Sequence, residues 1–250
     1  MTPRLLAIGD LHGQIEALEA VLEAAEATDD DRLIFLGDYV DSGPHSAQVL
    51  ERVMSLVHSG RAVAILGNHD DIMRQALSFR SGPQMDMWMA MGGGPTLDSY
   101  RRFGARTRAP TPVPTDHEIG HTEHHVPTSH IRFLAELPIV YETRRFIFVH
   151  GGLEPHLPAD QQSAEIAIWK KTHDAKAHRS GKTIVCGHTR QQSGNPQDLG
   201  HTVCIDTNAK AGGWVTCLEL FDEPNHRRAE RPWRYWQASP HGDTRKRSLG

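Results

Sequence analysis

The amino-acid sequence predicts an α/β protein: two β-sheets packed face to face as a sandwich and flanked by helices, in four layers, α/β/β/α. Three observations lead there. Residues 1–80 alternate short apolar strands with stretches of helical periodicity, the pattern of a parallel sheet covered by helices. The second half is richer in short apolar strands, which favours antiparallel pairing there. Five short segments, GDLHG (9–13), GDYVD (37–41), GNHD (67–70), HGG (150–152) and GHT (187–189), each stand at the end of one of these strands.

The elements follow in order. Leu5–Gly9 is short and apolar, a buried strand. Ile15, Leu18, Val21, Leu22 and Ala25 then recur at helical spacing. Leu33–Gly37 is the second strand, and Val49, Leu50, Val53 and Leu56 mark the second helix. Ala62–Gly67 is the third strand, followed by helical Ile72 to Leu77. Periodicity then fails. Residues 81–130 hold Gly92–Gly94, six prolines from Pro83 to Pro127 and a histidine-rich stretch from His117 to His130. They read as a loop-rich insertion with one helix near Met85–Met91, its Met85, Met87, Trp88, Met89 and Met91 forming a local apolar cluster. The histidine-rich stretch reads as a solvated loop. Beyond it, Ile131–Leu137 is a short helix, Val140–Glu142 and Phe146–Val149 are strands around a turn, and Ala164–Lys170 is a helix. Thr183–Cys186, Val203–Asp206 and Trp214–Leu220 are strands, and 225–247 closes the chain as a final strand with a frayed end. A single domain, residues 1–250, accommodates all of this.

Composition narrows the function classes. The net charge is −4 and 38% of the 250 residues are hydrophobic. No basic field is present to recruit nucleic acid or an anionic membrane, and neither is expected as a partner. No apolar run approaches the ~18 residues of a membrane span, and the N-terminus lacks a leader pattern. Cys186, Cys204 and Cys217 lie singly in apolar strands, outside any CxxC pair. They read as buried reduced thiols, so a cytoplasmic location is expected. Histidine, at 17 residues, is abundant, and it is the commonest metal ligand.

Position matters more than abundance. Asp10 and His12 are two apart, so in an extended turn a carboxylate and an imidazole face one side. Asp38 follows the second strand, Asn68 and His69 the third, and His150 and His188 two later strands, each beside glycine. In open α/β sheets the carboxyl ends of strands line the ligand crevice. Oxygen and imidazole donors converging there, without thiolate, suit divalent manganese, iron or zinc, and ligand type alone leaves the choice open.

This ordered set resembles the calcineurin-like metallophosphoesterases over residues 9–208, and within them the serine/threonine phosphoprotein phosphatase branch with its small bacterial members. The resemblance implies a metallophosphatase-like sandwich holding two divalent ions, manganese first among them. Asp10 and His12 would hold one ion, Asp38 would bridge, and Asn68, His150 and His188 would complete the second. His69 would be the general acid and Asp41 its orienting partner. Asp70 stands where many relatives carry Glu, and Asp206 lies in a segment near the site. The implied activity is hydrolysis of phosphate monoesters, foremost phosphoserine and phosphothreonine in proteins, by metal-activated hydroxide. The alternative is a phosphorylated small molecule: a diadenosine tetraphosphate or other dinucleoside polyphosphate, or a nucleotide.

The chain departs from that branch at Ser42. Relatives carry a phosphate-gripping arginine there, and a hydroxyl cannot replace a guanidinium fork. Lys171, shortly after Trp169, and Arg190, directly after GHT, are the substitutes the sequence offers, ahead of Lys170, Arg74 and Arg80.

Overall fold

Strand β1 (Arg4–Ile8) sets out the layers. Its side chains alternate: Leu6 and Ile8 pack into a helical layer, while Leu5 and Ala7 face a second sheet. Strand β2 (Arg32–Phe35) divides the same way, with Leu33 and Phe35 outward to helices and Ile34 inward. The computed structural model describes residues 4–79, 82–107, 125–223, 230 and 232–249.

Helix α1 (Ile15–Ala24) buries Leu18, Val21 and Leu22, and α2 (Ser46–His58) buries Val49, Leu50 and Val53. Both cover the outer face of the first sheet, completed by β3 (Ala62–Ala64) and followed by α3 (Asn68–Phe79). The second sheet contains β4 (Val140–Glu142), β5 (Phe146–Val149), β6 (Thr183–Cys186), β7 (Gln197–Asp198) and β8 (Thr202–Cys204). Phe146, Phe148, Val185 and Val203 meet Leu5, Ala7 and Ile34 between the sheets. Ile147, Val149, Ile184 and Cys186 turn outward to Ala167 and Ile168 of α7 (Ala164–Trp169). The four layers are therefore α/β/β/α.

After β9 (Val215–Phe221), strands β10 (Trp233–Ala238) and β11 (Thr244–Leu249) complete the first sheet. Its order is β11-β10-β9-β1-β2-β3, with β1, β2 and β3 parallel. The second runs β4-β5-β6-β8-β7. At its centre β5, β6 and β8 are parallel, and only the edge pairs β4–β5 and β7–β8 are antiparallel. The antiparallel pairing expected of the second half holds for β4–β5, β7–β8, β9–β10 and β10–β11, and the parallel centre of the second sheet departs from it. The chain crosses over through α7 between β5 and β6, so these strands run the same way. The C-terminal tail also differs. It forms the hairpin β10–β11 where one frayed strand was expected, and the edge strand β11 is charged, with Arg245, Lys246 and Arg247.

The largest correction concerns 81–130. Two helices, α4 (Pro83–Met91) and α5 (Gly93–Thr107), occupy most of its first half, and α6 (Thr128–Glu136) begins at its end. Residues 108–124, including His117, His121 and His124, lie outside the described residues. The glycines misled because they read as breakers, whereas here they make a corner. Gly92 ends α4 in the left-handed region at φ 116°, and a Cβ on Gly93 would lie 2.7 Å from the Trp88 indole. Of the methionine-rich cluster, Trp88 is fully buried, while Met87 and Met89 are exposed. His130 is not solvated: it is buried between the Tyr100 hydroxyl at 2.8 Å and Glu51 Oε2 at 2.9 Å. Cys186, Cys204 and Cys217 are buried and unbridged, as expected. Among the described residues no helix is long and apolar enough to cross a membrane.

One hydrogen bond ties the ends of β2 and β3 together. Tyr39, fully buried, donates its hydroxyl to the Ile65 carbonyl at 2.6 Å. Tyr39→Phe leaves that carbonyl unpaired in the core and should lower unfolding stability by about 1–3 kcal/mol, read from the midpoint and slope of urea unfolding. An unchanged midpoint would show that the bond contributes nothing.

Candidate metal centre

The six predicted ligands meet at the carboxyl ends of strands from both sheets. Asp10 follows β1, Asp38 follows β2 and Asn68 follows β3, while His150 and His188 follow β5 and β6. The first two loops are clipped together by backbone: Leu11 and His12 both donate N–H to the Asp38 carbonyl, at 3.0 and 2.8 Å. His12, Asp38 and His188 all have left-handed backbone, with φ of 43°, 54° and 61°. Such geometry costs non-glycine residues about 1 kcal/mol or more each, and it concentrates where surroundings force it.

Asp70 does much of that forcing. Fully buried in the first turn of α3, it accepts N–H bonds from Asp38 at 2.7 Å, Tyr39 at 2.9 Å and Gly67 at 3.1 Å. Burial and the charge of Asp38 push its carboxyl up to about 7. Gly67 is required because a Cβ there would collide with the Asp38 amide and carboxylate.

Asp38 is central. Its Oδ1 accepts the His69 N–H at 3.0 Å and lies 3.3 Å from His150 Nε2, while Oδ2 lies 3.5 Å from His12 Nε2. Two sets of ligand atoms gather within 4.8 Å of one another, Asp10–Asp38–His150 and His12–Asp38–His69. Asp38 belongs to both, which is the arrangement a bridging carboxylate between two ions needs. This grouping differs from the sequence expectation in placing Asp10 with His150 and His12 with His69 rather than Asp10 with His12.

The donor chemistry fits cations. His12 Nδ1 contacts the Val40 carbonyl at 2.9 Å, and His150 Nδ1 the Leu36 carbonyl at 2.8 Å. Each Nδ1 carries the proton it donates, which turns Nε2 toward Asp38; at His150 burial is outweighed by the Asp38 carboxylate, which raises the ring to about 10. His188 gives Nε2–H to the Trp169 carbonyl at 3.0 Å, so its Nδ1 lone pair meets the Asn68 amide oxygen at 2.9 Å; His150 Nε2 reaches the same oxygen at 2.9 Å. Carboxylates and imidazoles gathered this closely in a buried pocket favour positive charge among them. The carboxylates add to this. Burial, then the charges of Asp206 and Asp38, hold the Asp10 carboxyl well above its usual range, and burial lifts Asp206 to about 6. Burial also lowers His12 to about 3 and His188 to about 4. Asp206 follows β8 at the same end of the sheets and turns back to accept the Asn208 N–H at 3.0 Å.

His69 and Asp41 form a buried pair: Nδ1–H donates to Asp41 Oδ2 at 2.7 Å. Asp41 Oδ1 accepts the Trp88 indole N–H at 2.8 Å and the Thr96 hydroxyl at 3.0 Å. Asp41 is fully buried and caps no helix; α2 starts after His45 without a side-chain cap. The helices α4 and α5 therefore complete this pair, through two residues that sequence reasoning missed. Thr96 carried no signal, and Trp88 read as core.

The expected phosphate-gripping residues are less closely placed. Arg190 is exposed and makes no hydrogen bond or ion pair among the described residues, although its charge lowers Asp206 against the larger effect of burial. Lys171 is also exposed, close enough for its charge to add to the lowering of His188. Lys170 pairs with Glu154 at 2.8 Å and Arg74 with Asp71 at 2.6 Å, while Arg80 lies outside the described residues. The cation nearest the pair is one that sequence reasoning missed. Lys210 donates to His69 Nε2 at 2.9 Å, from the segment that supplies Asp206, and no spacing rule pointed to it.

Comparison with known proteins agrees with this geometry. A bis(5'-nucleosyl)-tetraphosphatase PrpE [asymmetrical] of Bacillus thuringiensis is 24% identical over 238 residues, spanning 84% of this chain and 88% of the relative. Two solved structures share the fold. A candidate diadenosine tetraphosphatase has a TM-score of 0.58 at 22% identity, over 100% of this chain and 95% of the other. A protein serine/threonine phosphatase from Saccharomyces cerevisiae has a TM-score of 0.57 at 14% identity, over 99% and 80%. The sequence pattern of the calcineurin-like phosphoesterases matches residues 3–219, and with that span the chain belongs to the calcineurin-like phosphoesterase family.

Proposed function

We propose that this metallophosphoesterase hydrolyses dinucleoside polyphosphates at the site around Asp38. The observation that carries the hydrolytic part is Asp38 shared by two donor groups, Asp10–Asp38–His150 and His12–Asp38–His69, with His69 also paired to Asp41. The substrate class rests on the relative named as a bis(5'-nucleosyl)-tetraphosphatase, aligned over most of both chains. This reverses the order expected from the sequence, where phosphoserine and phosphothreonine proteins came first.

The surface around the site favours the reversal. Ser42 brings no charge, and the positive groups are spread over Lys171, Arg190 and Lys210. A chain of phosphates carries its charge over several positions and matches scattered point charges better than one fork does. Trp169 is 37% exposed, and its ring lies 6.2 Å from that of His188. A flat apolar face so close to the ligands could stack a nucleobase.

Asp10, His12, Asp38, Asn68, His150 and His188 would hold two divalent ions, which supply an activated water and offset charge on phosphate oxygens. The protein's own groups do the rest. His69 would pass a proton from Nε2 to the departing oxygen, and Asp41 fixes the ring through Nδ1. Trp88 and Thr96 fix Asp41 in turn, and the enclosure of Asp38 excludes bulk water from its shared carboxylate.

A substrate panel with added manganese tests the reading: diadenosine tetraphosphate, a phosphoserine peptide and p-nitrophenyl phosphate. Nucleotide release without peptide dephosphorylation is expected; the opposite result restores the phosphoprotein reading. Asp38→Ala should lose bound metal, measured by elemental analysis, together with activity. His69→Ala should retain metal and lose about 10²–10⁴-fold in kcat on a poor leaving group. Full activity there would remove His69 from proton transfer. Trp88→Phe should lower kcat on a poor leaving group while leaving metal content unchanged, because Asp41 then holds His69 with one donor fewer.

A further inference from the structure

Lys210 is unusual among the cations near the site, because it points inward. It sits on a 3-10 turn, Ala209–Ala211, anchored by buried Ala209 and bounded by left-handed Asn208 and Gly212 at φ 71° and 79°. Its side chain is half-buried, and its ammonium uses two donors. One goes to His69 Nε2 at 2.9 Å, the other to the Met91 carbonyl at 3.3 Å. An ammonium has three donors, and no third partner exists among the described residues.

Two geometric facts give this position meaning. His69 turns Nδ1 to Asp41, so Nε2 is the ring atom left to meet a departing oxygen. The Lys210 ammonium already stands on that atom. Ser42 is held by the neighbouring peptide: its N–H donates to the Gly92 carbonyl at 3.1 Å, next in the chain to the carbonyl that holds Lys210. The uncharged residue after Asp41 and the ammonium thus attach to one corner, between α4 and α5. The other cations do not reach it. Arg190 and Lys171 make no hydrogen bond among the described residues, and Lys170 and Arg74 are engaged by carboxylates.

We propose that Lys210 is the residue that grips the phosphoryl group undergoing cleavage. Its ammonium would exchange the His69 Nε2 contact for a non-bridging phosphoryl oxygen, keep the Met91 carbonyl as its anchor, and so leave Nε2 free to take up a proton from water and pass it to the departing oxygen. The inference rests on the phosphoesterase reading of the site, not on which phosphate ester is the substrate.

The test compares metal-loaded wild type, Lys210→Met and Lys210→Arg, with inorganic phosphate as the probe. Competitive inhibition by phosphate is measured against p-nitrophenyl phosphate, and direct phosphate binding by calorimetry. Lys210→Met keeps length and removes charge. It should weaken phosphate by about tenfold or more in both measurements and raise KM similarly, with two metals still bound. Lys210→Arg should recover phosphate affinity to within about threefold, which a merely structural role would not predict. Wild-type phosphate affinity in Lys210→Met would overturn the proposal. So would failure of Lys210→Arg to recover affinity while its metal content and circular dichroism match wild type. If Lys210→Met does not fold, the calorimetric affinity of Lys210→Gln decides in its place by the same criterion. Wild type that binds phosphate yet leaves dinucleoside polyphosphates intact would remove the substrate reading and leave this one standing.

Discussion

The site depends on one peptide unit, that of Asp38. Its N–H is accepted by Asp70 from the next helix, and its carbonyl accepts two N–H groups from the loop that carries Asp10 and His12. Three strand ends are joined through that one residue, and the joining holds it in a left-handed turn that its side chain would otherwise disfavour. The carboxylate then stands between two clusters of ligand atoms with little freedom to turn elsewhere. Asp70 is not among the candidate ligands, yet its three hydrogen bonds join the loops after β2 and β3, together with those of Tyr39 to Ile65 and His69 to Asp38.

The sequence made the strand ends legible because the chemistry there is local. A short apolar strand followed by Gly-Asp or Gly-His is visible in a window of a few residues, and parallel strands carry such residues to one edge. Asp10, His12, Asp38, Asn68, His150 and His188 all arrive where that logic puts them. Layer order was readable from strand alternation for the same reason. What stayed hidden was non-local. The helices after α3 were obscured by Gly92–Gly94, whose role as a corner depends on how close Trp88 packs. Trp88 and Thr96 acquire their role only by touching Asp41, some fifty residues earlier in the chain. Lys210 looks like any lysine in a polar turn until the turn is placed against His69. The parallel run β5, β6 and β8 was not legible among the antiparallel pairs of the second half, because crossover connections leave no mark in the strands themselves.

The two sheets divide the labour. Asp10, Asp38 and Asn68 come from the first, His150 and His188 from the second, and the apolar layer between them sets their separation. Phe146, Phe148, Val185 and Val203 are thus as much a part of the centre's geometry as its donors, because close-packed interiors transmit changes of a single methylene. Ions shared by ligands from both sheets would in turn hold the sheets together, so occupancy and sheet packing are coupled by mass action.

The tether from Asp41 to Trp88 and Thr96 has a thermal meaning. The sheets are secured by a continuous buried core, whereas α4 presents Met87 and Met89 to solvent and buries only Trp88 completely. Segments with few buried contacts open at lower free energy than the core around them. The His69–Asp41 pair, to which we assign proton transfer, is tied in part to this helix, whereas the candidate metal ligands stand on the strand ends. Warming would therefore loosen proton delivery while the sheets and their ligands are still in place, and the temperature at which the protein stops working would lie below the temperature at which it unfolds.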